Sequence, residues 1–490
     1  MEKVNEKPFD RIPEGIEEPS DSNAQFISKW QFAPADLLST IFEFCVAEER
    51  ETNPRVFMGV CSHWRWICLH TRSLWSKIVL AHPAYEPERV RWFEFEVCHT
   101  PAELQAAIER TSGGTIELHW IFGECRWEAP DGGDAETTPQ KMIDILRTSK
   151  AFLQIRRLRV ESGLVDLIED INFEGFEFPA LEHASLDMSS SSLNKCMQET
   201  AHQLRYLWIG EIGSSRADWD LSKMQLPLEL MLYTGSETAQ QHPHIRPMIC
   251  SARHLFHLSL WDLIVRGDEA IFLPTLETLH LNNARFECNI ACPNLRNLDI
   301  YKSFIKASEI NPLILPSLMV LGLGAMKAVD FVHIHAPSVK SIEFKAFPHG
   351  DSDFIEVFLE KTIKAGHIRP QAIDFQYFRD SSPQLQILRQ ISDIRELHFR
   401  GSILEKRLFE ELAGCSLPAG PESHRRLPVC PSLQIFRLDI PGSFRHSQIA
   451  IDMSDWFRAV VRERSQRGYA LKEAFIRDRH GDDDPWTKVV

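Results

Sequence analysis

The sequence has no long hydrophobic run. Over its 490 residues, no apolar stretch approaches the about 18 to 20 residues that a membrane-spanning helix needs. The N-terminal segment, Met1 to Ser28, is acidic and has no hydrophobic region of the kind that directs secretion. The sequence also contains no Asn-x-Ser/Thr glycosylation site. These absences predict an intracellular protein, in the cytoplasm, the nucleus or both, with no membrane partner.

The sequence also lacks any complete catalytic or metal-binding signature. The closest cysteine pair, Cys288-x-x-x-Cys292, has no second pair or spaced histidines to complete a zinc site. Gly322-Leu-Gly324 has two glycines of a phosphate-binding loop, but no third glycine and no Gly-Lys-Ser/Thr sequence follows. No Gly-x-Ser-x-Gly, His-Glu-x-x-His or kinase signature occurs. We therefore expect no enzymatic activity, no cofactor and no metal.

Cysteine usage and charge restrict the classes of partner. The 11 cysteines are scattered, odd in number and mostly inside apolar runs, which indicates reduced and buried thiols. Lys and Arg total 54 against 69 Asp and Glu, for a formal net charge of −15. Nucleic acids and anionic membranes attract basic faces, so this balance argues against a nucleic-acid partner.

Two helices with apolar faces are predicted between Phe32 and Leu80. Pro34 suits the first turn of a helix, where a missing N–H costs nothing. Apolar residues then recur at three- and four-residue steps, which places them on one helical face. In this first helix they are Leu37, Leu38, Ile41, Phe42 and Cys45.

The second helix is predicted to start at Asn53-Pro54, a cap followed by proline at the first helical position. Leu74-Trp75-Ser76 follows it. At about 15 residues each, the two helices are too short to bury both apolar stripes without a partner or a following domain. The apolar positions of the second helix are Phe57, Val60, Cys61, Trp64, Ile67 and Cys68.

This segment resembles an F-box. F-boxes open with Leu-Pro and a Glu two residues on, whereas Phe32-Ala33-Pro34 and Asp36 stand here. An ordinary helical hairpin in a larger domain is the alternative. The residues that carry the resemblance are Phe32-Ala-Pro-Ala-Asp-Leu-Leu-Ser-Thr-Ile-Phe42, Val60-Cys-Ser-His-Trp-Arg-Trp-Ile-Cys68 and Leu74-Trp75-Ser76.

The resemblance implies that the segment docks a Skp-type linker and, through it, a cullin. Some of its apolar residues must instead form the core of the F-box, and the sequence does not divide the two roles. The docking residues that the resemblance implies are Pro34, Leu37, Leu38, Ile41, Phe42, Val60, Cys61 and Trp64.

Residues 81–150 are predicted to form a connector with helices. A first helix ends at Gly113-Gly114, and Thr115 to Trp120 alternates as a strand does. Ala129 to Gln140 is rich in turn residues and predicts a loop. Met142 to Phe152 has the apolar spacing of a helix.

A frame of the form L-x-x-L-x-L recurs through the rest of the chain. From Leu255 to Val339, successive first positions are 21, 19, 23 and 21 residues apart. From Ile394 to Leu433 the interval is 39 residues, and Ala413 to Pro428 is predicted to loop out there. The first positions of all copies are Ile155, Leu181, Leu204, Leu255, Leu276, Leu295, Leu318, Val339, Ile394, Leu433 and Leu471.

Stacking explains a repeat of this kind. One strand with its return segment cannot bury its leucines alone, whereas several units side by side share a continuous core. The interval resembles that of leucine-rich repeats, whose period is about 20 to 29 residues. This resemblance implies a solenoid with a curved parallel sheet, although the asparagine usual in such repeats is mostly absent. An irregular α/β domain with similar strands by chance is the alternative.

Side chains alternate along such strands, so the residues between the leucines face the concave side. Exposed aromatic residues and arginine are common anchors of protein interfaces. We therefore expect this face to bind a target protein. The target-binding residues predicted are Tyr206, Trp208, His257, Trp261, His280, Tyr301, His398 and Arg400.

The predicted fold class is α/β, with an N-terminal helical F-box followed by a leucine-rich-repeat-like solenoid, a layout similar to that of many fungal F-box proteins. Asp455 to Arg464, capped by Ser454, is predicted to be the last helix, and Leu471 to Ile476 the last strand. The predicted segments are a disordered acidic tail at 1–28, the F-box-like domain at 29–80, the connector at 81–150, the repeat domain at 151–478 and an acidic tail at 479–490.

The two resemblances together imply the substrate-recognition subunit of an SCF-type cullin ubiquitin ligase. In that role the F-box docks the linker and the repeats hold a target protein for ubiquitin-dependent degradation. Two alternatives stay open. The first is a non-ligase scaffold that uses the same modules for protein interaction, and the second is an enzyme of unrecognised type on an α/β domain, which would need a pocket lined by convergent titratable groups.

Overall fold

The computed structural model describes the chain in ranges separated by gaps. The acidic tail predicted at 1–28 lies outside them, and so does 479–485 of the second tail. The chain divides into two compact units, Met1–Gln154 and Ile155–Val490. The described ranges are 33–47, 54–81, 96–111, 113–122, 137–162, 172–187, 191–210, 219–234, 240–307, 312–326, 333–345, 352–378, 381–391, 393–417, 426–440, 447–478 and 486–490.

The first unit opens with three short helices, α1 (Ala35–Ala47), α2 (Pro54–Met58) and α3 (Ser62–His70). The single second helix predicted from Asn53-Pro54 is therefore wrong. The chain leaves helical geometry at Gly59, where the missing side chain weakens a helix by about 1 kcal/mol. Cys61 is extended, and its sulfur accepts a hydrogen bond from the Trp64 N–H at 3.4 Å, so it caps α3.

These helices and the following 3-10 turn, Arg72–Trp75, share one small core. The Phe42 ring stacks on the Phe57 ring with their centroids 4.4 Å apart. The Trp75 Nε1–H donates to the Cys68 carbonyl at 2.8 Å, which ties the turn to α3. The fully buried members of this core are Leu38, Phe42, Val46, Ile67, Cys68, Leu74 and Trp75.

Three parallel strands follow in the first unit. They are β1 (Lys77–Ala81), β2 (Glu96–Cys98) and β3 (Ile116–Phe122), and β1 pairs with both of the others. Buried side chains from β1 and β3, among them Val79 and Ile121, pack in a second cluster. The strand predicted at Thr115 to Trp120 is confirmed.

Two further helices belong to this unit, α4 (Pro101–Thr111) and α5 (Thr137–Thr148), before a 3-10 turn at Ala151–Gln154. A capping box starts α4: the Thr100 Oγ1 accepts from the Glu103 N–H, and the Glu103 carboxylate accepts from the Thr100 N–H. The loop predicted as far as Gln140 is wrong in its last turn, because α5 already begins at Thr137.

The second unit is built on a large, mostly parallel sheet. Among the described residues, thirteen parallel strands pair in chain order, and one short antiparallel strand follows at the edge. The mixed α/β class with a parallel sheet is confirmed. The strands are β4 (Ile155–Ser162), β5 (His183–Leu186), β6 (Tyr206–Ile209), β7 (Leu228–Tyr233), β8 (Leu255–Trp261), β9 (Thr278–Asn282), β10 (Asn297–Tyr301), β11 (Val320–Gly324), β12 (Ser341–Lys345), β13 (Ala372–Gln376), β14 (Glu396–Arg400), β15 (Ile435–Ile440), β16 (Glu473–Asp478) and β17 (Thr487–Lys488).

One face of this sheet is core and the other is accessible. In β9, Leu279 and Leu281 are buried while the residues between and beside them are partly exposed. The register keeps the buried residues in line, since Leu279 pairs with Leu258 on β8 and with Leu298 on β10. The strands that follow the frame therefore stack their leucines into one core, as expected from the alternation of side chains.

The layer behind the core face changes along the chain. Behind the middle of the sheet the return segments form short parallel strands, and elsewhere they form helices. The short strands are Gln240–Gln241, Leu263–Arg266, Ile271–Phe272, Arg285–Glu287, Ile290–Ala291, Phe304–Ile305, Leu313–Ile314 and Ile334–His335. The helices are α6 (Ser191–Thr200), α7 (Ile245–Ser251), α8 (Ser352–Phe358) with a π-helical turn at Leu359–Lys364, α9 (Ser382–Gln390), α10 (Lys406–Ala413) and α11 (Gln448–Gln466), and a 3-10 turn lies at Leu221–Lys223.

The core residues change with this layer. Where helices back the sheet, phenylalanine replaces leucine in the ladder: the Phe344, Phe375, Phe399 and Phe436 rings follow one another with centroids 5.6, 5.3 and 6.1 Å apart. A helix is about 10 Å across, so it stands further from the sheet than a strand does, and larger side chains fill the wider gap. None of the eleven α-helices among the described residues is long and apolar enough to cross a membrane.

Two other expectations about the second unit are corrected. The last helix, α11, begins at Gln448 rather than Asp455, and Ser447 caps it by accepting from the Ala450 N–H; Ser454 is a buried residue inside the helix. The sequence also missed three strands of the sheet: β7, β13 and the short edge strand β17, which lies in the segment predicted as an acidic tail at 479–490.

Candidate functional site

The first unit presents large apolar side chains to solvent. Phe44 in α1, Val56 in α2 and Trp66 in α3 are 62%, 61% and 53% exposed. These helices also bury other residues in their shared core, so the exposed residues form a second apolar set beyond what folding uses. We call this the exposed apolar set, and its members are Leu37, Phe44, Val56, Val60, Trp66 and Leu69.

The residues predicted to dock a linker fall into two groups. Pro34, Leu37 and Val60 are exposed. Leu38 and Phe42 are each only 1% exposed and belong to the helical core. A partner can therefore contact the first group directly, whereas the second group acts on a partner only by holding the helices together.

The other three predicted docking residues are partly buried. Ile41 and Trp64 pack against the helical core, and the Trp64 ring lies 4.9 Å from the Phe42 ring. Cys61 caps α3 through its sulfur. The sequence reasoning missed four exposed residues, and the seven-residue interval from Leu37 to Phe44, two helical turns, is the signal that could have found one of them. The missed residues are Phe44, Val56, Trp66 and Leu69.

A basic groove lies on the same unit. It has a volume of about 510 Å³, and Leu69 of the exposed apolar set lines it together with Trp75. The Arg65 Nε–H donates to the Met58 carbonyl at 3.1 Å, and the Arg110 guanidinium lies 5.3 Å from the Trp75 ring centroid. This groove places arginines beside exposed apolar residues on a chain whose net charge is −15.

In the second unit, the accessible face of the sheet carries aromatic and histidine side chains on β5 to β10. The Tyr233 and Trp261 rings meet edge to face at 6.4 Å, and Trp261 is 41% exposed. The His257 and His280 rings stack at 5.6 Å. The six predicted target-binding residues on these strands all belong to this face, and they are Tyr206, Trp208, His257, Trp261, His280 and Tyr301.

The two stacked histidines are uncharged at neutral pH. Burial lowers the pKa of His257, and the neighbouring His280 lowers it further. Burial also lowers the pKa of His280, against the opposing effect of Asp299. The aromatic part of this face therefore presents neutral rings, which suit contact with apolar or polar uncharged groups of a partner.

Two glycines in the middle of the face make room for larger neighbouring side chains. Gly322 and Gly324 lie in β11, between β10 and β12, and Lys345 on β12 reaches across them to form an ion pair with Asp299 on β10. A Cβ on Gly322 would overlap the Asp299 carboxylate, and one on Gly324 would overlap the Tyr301 ring. The glycines are therefore required by packing on the accessible face, rather than by a phosphate-binding loop.

A pocket lies at the C-terminal end of the same face, with a volume of about 470 Å³. Its strands align two rows of side chains: His398, Arg437 and Phe475 pair across β14 to β16, and Arg400 and Arg477 flank Asp439 in the next row. The Trp486 ring closes one side, 5.3 Å from the His398 ring. The lining residues are His398, Arg400, Arg437, Phe475, Arg477 and Trp486.

Two aspartates hold two of these arginines. The Arg477 guanidinium donates to both oxygens of Asp439, at 3.0 and 2.6 Å. Arg400 lies 3.1 Å from Asp374, whose pKa burial raises to about 6 although Arg400 opposes the shift. The sequence reasoning found His398 and Arg400 but missed the other four lining residues.

Two buried thiols, Cys292 and Cys430, are poor nucleophiles and poor metal ligands in this fold. Burial raises the pKa of Cys292 and of Cys430 to about 12, so both are protonated at neutral pH. Within the described ranges, no three metal-ligating side chains come together in one place.

Comparison with models of known protein families found no match, and comparison with curated proteins found none that is significantly similar. The functional argument therefore depends on the geometry of the two units.

Proposed function

We propose that the chain is the substrate-recognition subunit of an SCF-type cullin ubiquitin ligase. In this proposal, residues 29–80 are an F-box-like domain that docks a Skp-type linker, and the second unit is a leucine-rich-repeat-like solenoid that holds a target protein. The observation that carries the proposal is the exposed apolar set on a segment that already has a core of its own.

Docking by this segment is supported by the free energy that is gained when its exposed apolar side chains leave water. Each large apolar side chain that passes from water into an interface contributes about 1.5 to 3 kcal/mol. The set includes Trp66, a residue type that often dominates interface energies. The arginines of the neighbouring groove, Arg55, Arg65 and Arg110, add a basic rim that suits an acidic partner.

The repeat-like reading of the second unit is supported by the order and register of its strands. Each strand pairs with its neighbours in the chain, which is what stacked repeats produce. At the frame position where such repeats usually have asparagine, Ser303 and Ser402 are buried. Their hydroxyls accept hydrogen bonds from the backbone N–H groups of Ala284 and Phe378. At these positions serine therefore provides the hydrogen-bond acceptor that the backbone needs.

The proposed role requires no bond chemistry from this chain. The receptor binds the target with one unit and the linker with the other, and so raises the effective concentration of target lysines near the ubiquitin-charged enzyme. Its partners would be a Skp-type linker, a cullin and a target protein, inside the cell. The aromatic residues around Tyr233 and Trp261 offer the interface anchors for the target.

The test is a docking variant that leaves the core intact. Leu37→Asp combined with Val60→Asp places two carboxylates in the exposed apolar set. At about 1 to 2 kcal/mol for each site, we expect affinity for a purified Skp-type linker to fall by about 30-fold or more. Biolayer interferometry with immobilised linker measures this directly.

The matched control is Phe272→Asp combined with Ile314→Asp, two apolar residues of the second unit that are more exposed than Leu37 and Val60. We expect this control to bind the linker as the unchanged protein does. Leu38→Asp is unsuitable, because it places a charge in the helical core. Equal linker binding by the docking variant and the control would refute the docking assignment, and a stable linker complex that recruits no cullin would favour a non-ligase scaffold.

A further inference from the structure

Among the residues that the structure describes, one cation of the C-terminal pocket, Arg437, has no carboxylate within ion-pair distance. Arg400 pairs with Asp374 and Arg477 pairs with Asp439, but Arg437 has neither a hydrogen bond nor an ion pair within the described part of the chain. Arg437 is also partly buried, so part of its hydration is lost. An oxyanion with one charge would recover that cost through a charge-assisted hydrogen bond.

A hydrogen-bond acceptor lies beside this cation. His398 pairs with Arg437 across β14 and β15, which puts their side chains next to each other on the same face. Burial, with the neighbouring arginines, lowers the pKa of His398 to about 3, so the ring is neutral at pH 7. The Asp374 carboxylate, 3.5 Å from Nδ1, assigns the ring proton to Nδ1, which leaves Nε2 as an acceptor. Nε2 is buried and has no hydrogen-bond partner among the described residues.

The remaining lining consists of two aromatic rings, Phe475 and Trp486, and the two paired arginines, Arg400 and Arg477. The Phe475 ring centroid is 5.7 Å from the Arg437 guanidinium carbon, and Trp486 packs between the His398 ring and the Arg477 guanidinium, at 5.3 and 4.9 Å. Both oxygens of Asp439 hold the Arg477 guanidinium, on which the Trp486 ring packs. The volume of about 470 Å³ holds one amino-acid residue with room for its side chain.

We propose that this pocket binds the C-terminal residue of a peptide chain. Its terminal carboxylate would lie on Arg437, its backbone N–H would donate to His398 Nε2, and its side chain would lie between Phe475 and Trp486. A chain terminus carries one negative charge, one N–H donor and one side chain on the same residue, which matches the three features of the pocket. A phosphate monoester carries nearly two charges, more than the one unpaired guanidinium balances.

This inference deepens the proposed function, because it names the chemistry of the target that the receptor would hold. The test uses the purified full-length chain without any linker, so its failure leaves linker docking untouched. The probes are fluorescently labelled Gly-Ser-Gly-Ser-Gly peptides that end in each of the amino acids, each made with a free terminal carboxylate and with a terminal amide. Fluorescence anisotropy measures their affinities.

We expect peptides that end in an apolar residue to bind, and amidation of the terminus to weaken binding about tenfold or more. Arg437→Gln should lower affinity for the carboxylate form by a similar factor and remove the preference over the amide. Trp486→Ala should reduce the preference for apolar terminal residues. The control Arg285→Gln, which changes an exposed arginine on an outer strand, should bind as the unchanged protein does.

Three results would overturn the proposal. The first is that no peptide binds more tightly as the carboxylate than as the amide. The second is that Arg437→Gln retains full affinity. The third is that an amidated probe with an internal phosphoserine binds more tightly than every carboxylate probe, which would assign the pocket to a phosphate group.

Discussion

Arg464 allows a quantitative test of how the C-terminal end of the sheet is held together. Its side chain is fully buried in α11, and its guanidinium donates only to backbone carbonyls among the described residues. The closest acceptors are the carbonyls of Leu412 and Cys430, at 2.9 and 3.0 Å, and those of Val429 and Pro431 are at 3.4 Å. One side chain thus joins α10, α11 and the segment that leads into β15.

Arg464→Met removes these donors while keeping much of the side-chain volume. Two buried carbonyls that lose their closest donor cost about 1 to 3 kcal/mol each. Burial of the guanidinium acts in the opposite direction, since it lowers the pKa of Arg464 to about 10, and methionine relieves that desolvation. We therefore expect the free energy of unfolding to fall by about 2 to 4 kcal/mol.

Urea unfolding followed by circular dichroism measures this change. The control is Arg462→Met, two residues earlier on the same helix but exposed, which should change the free energy of unfolding by less than about 0.5 kcal/mol. If Arg464→Met is as stable as the control, or more stable, the backbone hydrogen bonds do not outweigh the cost of burying the guanidinium, and the reasoning is wrong.

Two further predictions concern the accessible face of the sheet. Gly322→Val should lower the free energy of unfolding by about 1 to 3 kcal/mol, because its side chain overlaps the Asp299 carboxylate that pairs with Lys345; an unchanged melting temperature would contradict this. Asp374 has its pKa raised to about 6 by burial, so its stabilising contribution is complete below about pH 4 and is lost as the pH rises through 6. The free energy of unfolding of Asp374→Asn, relative to that of the unchanged protein, should therefore rise by about 2 to 3 kcal/mol between pH 4 and pH 7, as measured by urea unfolding. The same difference between the two proteins at both pH values would refute this prediction.

Most strands of the sheet could be predicted because their core residues repeat at a fixed spacing. Every predicted copy of the frame has a strand that begins within two residues of its first position. The two missed parallel strands share one cause. In β7 and β13 the first position of the frame is occupied by Pro227 and Pro370 instead of an apolar branched residue, so the pattern is broken although the strand forms.

The turns that end the strands could not be predicted, because no residue type marks them. Six strands from β8 to β14 are followed by a residue in the left-handed region, and these are Asp262, Asn283, Lys302, Ala325, Tyr377 and Gly401. The backbone N–H of Asn283, for example, donates to the Tyr301 carbonyl on the next strand. Pairing with the next strand sets this geometry, so even Lys302 and Tyr377 adopt it.

For the N-terminal helices, the sequence predicted which residues form an apolar stripe but not which of them are buried and which are exposed. Leu37 and Leu38 are neighbours in sequence and differ by about 100° around the helix, yet one is exposed and the other is core. Which side of the stripe faces inward depends on how α2 and α3 pack, and the break at Gly59 was not foreseen. The docking assignment of the exposed residues stays a prediction.

Part of the C-terminal pocket could be predicted from the sequence. Arg437 and Phe475 occupy the same frame position as His398, between the last two apolar residues, so the repeat itself predicts that they share a face. Trp486 could not be predicted from the sequence, because it belongs to no repeat. It directly precedes the antiparallel strand β17, whose pairing with β16 positions it.

The central claim is that the first unit joins a ligase while the second unit holds a target. The most direct measurement is affinity purification of the tagged chain from eukaryotic cells with quantitative mass spectrometry, done in parallel for the unchanged protein and for Leu37→Asp combined with Val60→Asp. We predict a Skp-type linker and a cullin with the unchanged protein, and loss of both with the variant while other bound proteins remain. Recovery of neither with the unchanged protein, or equal recovery with both proteins, would contradict the claim.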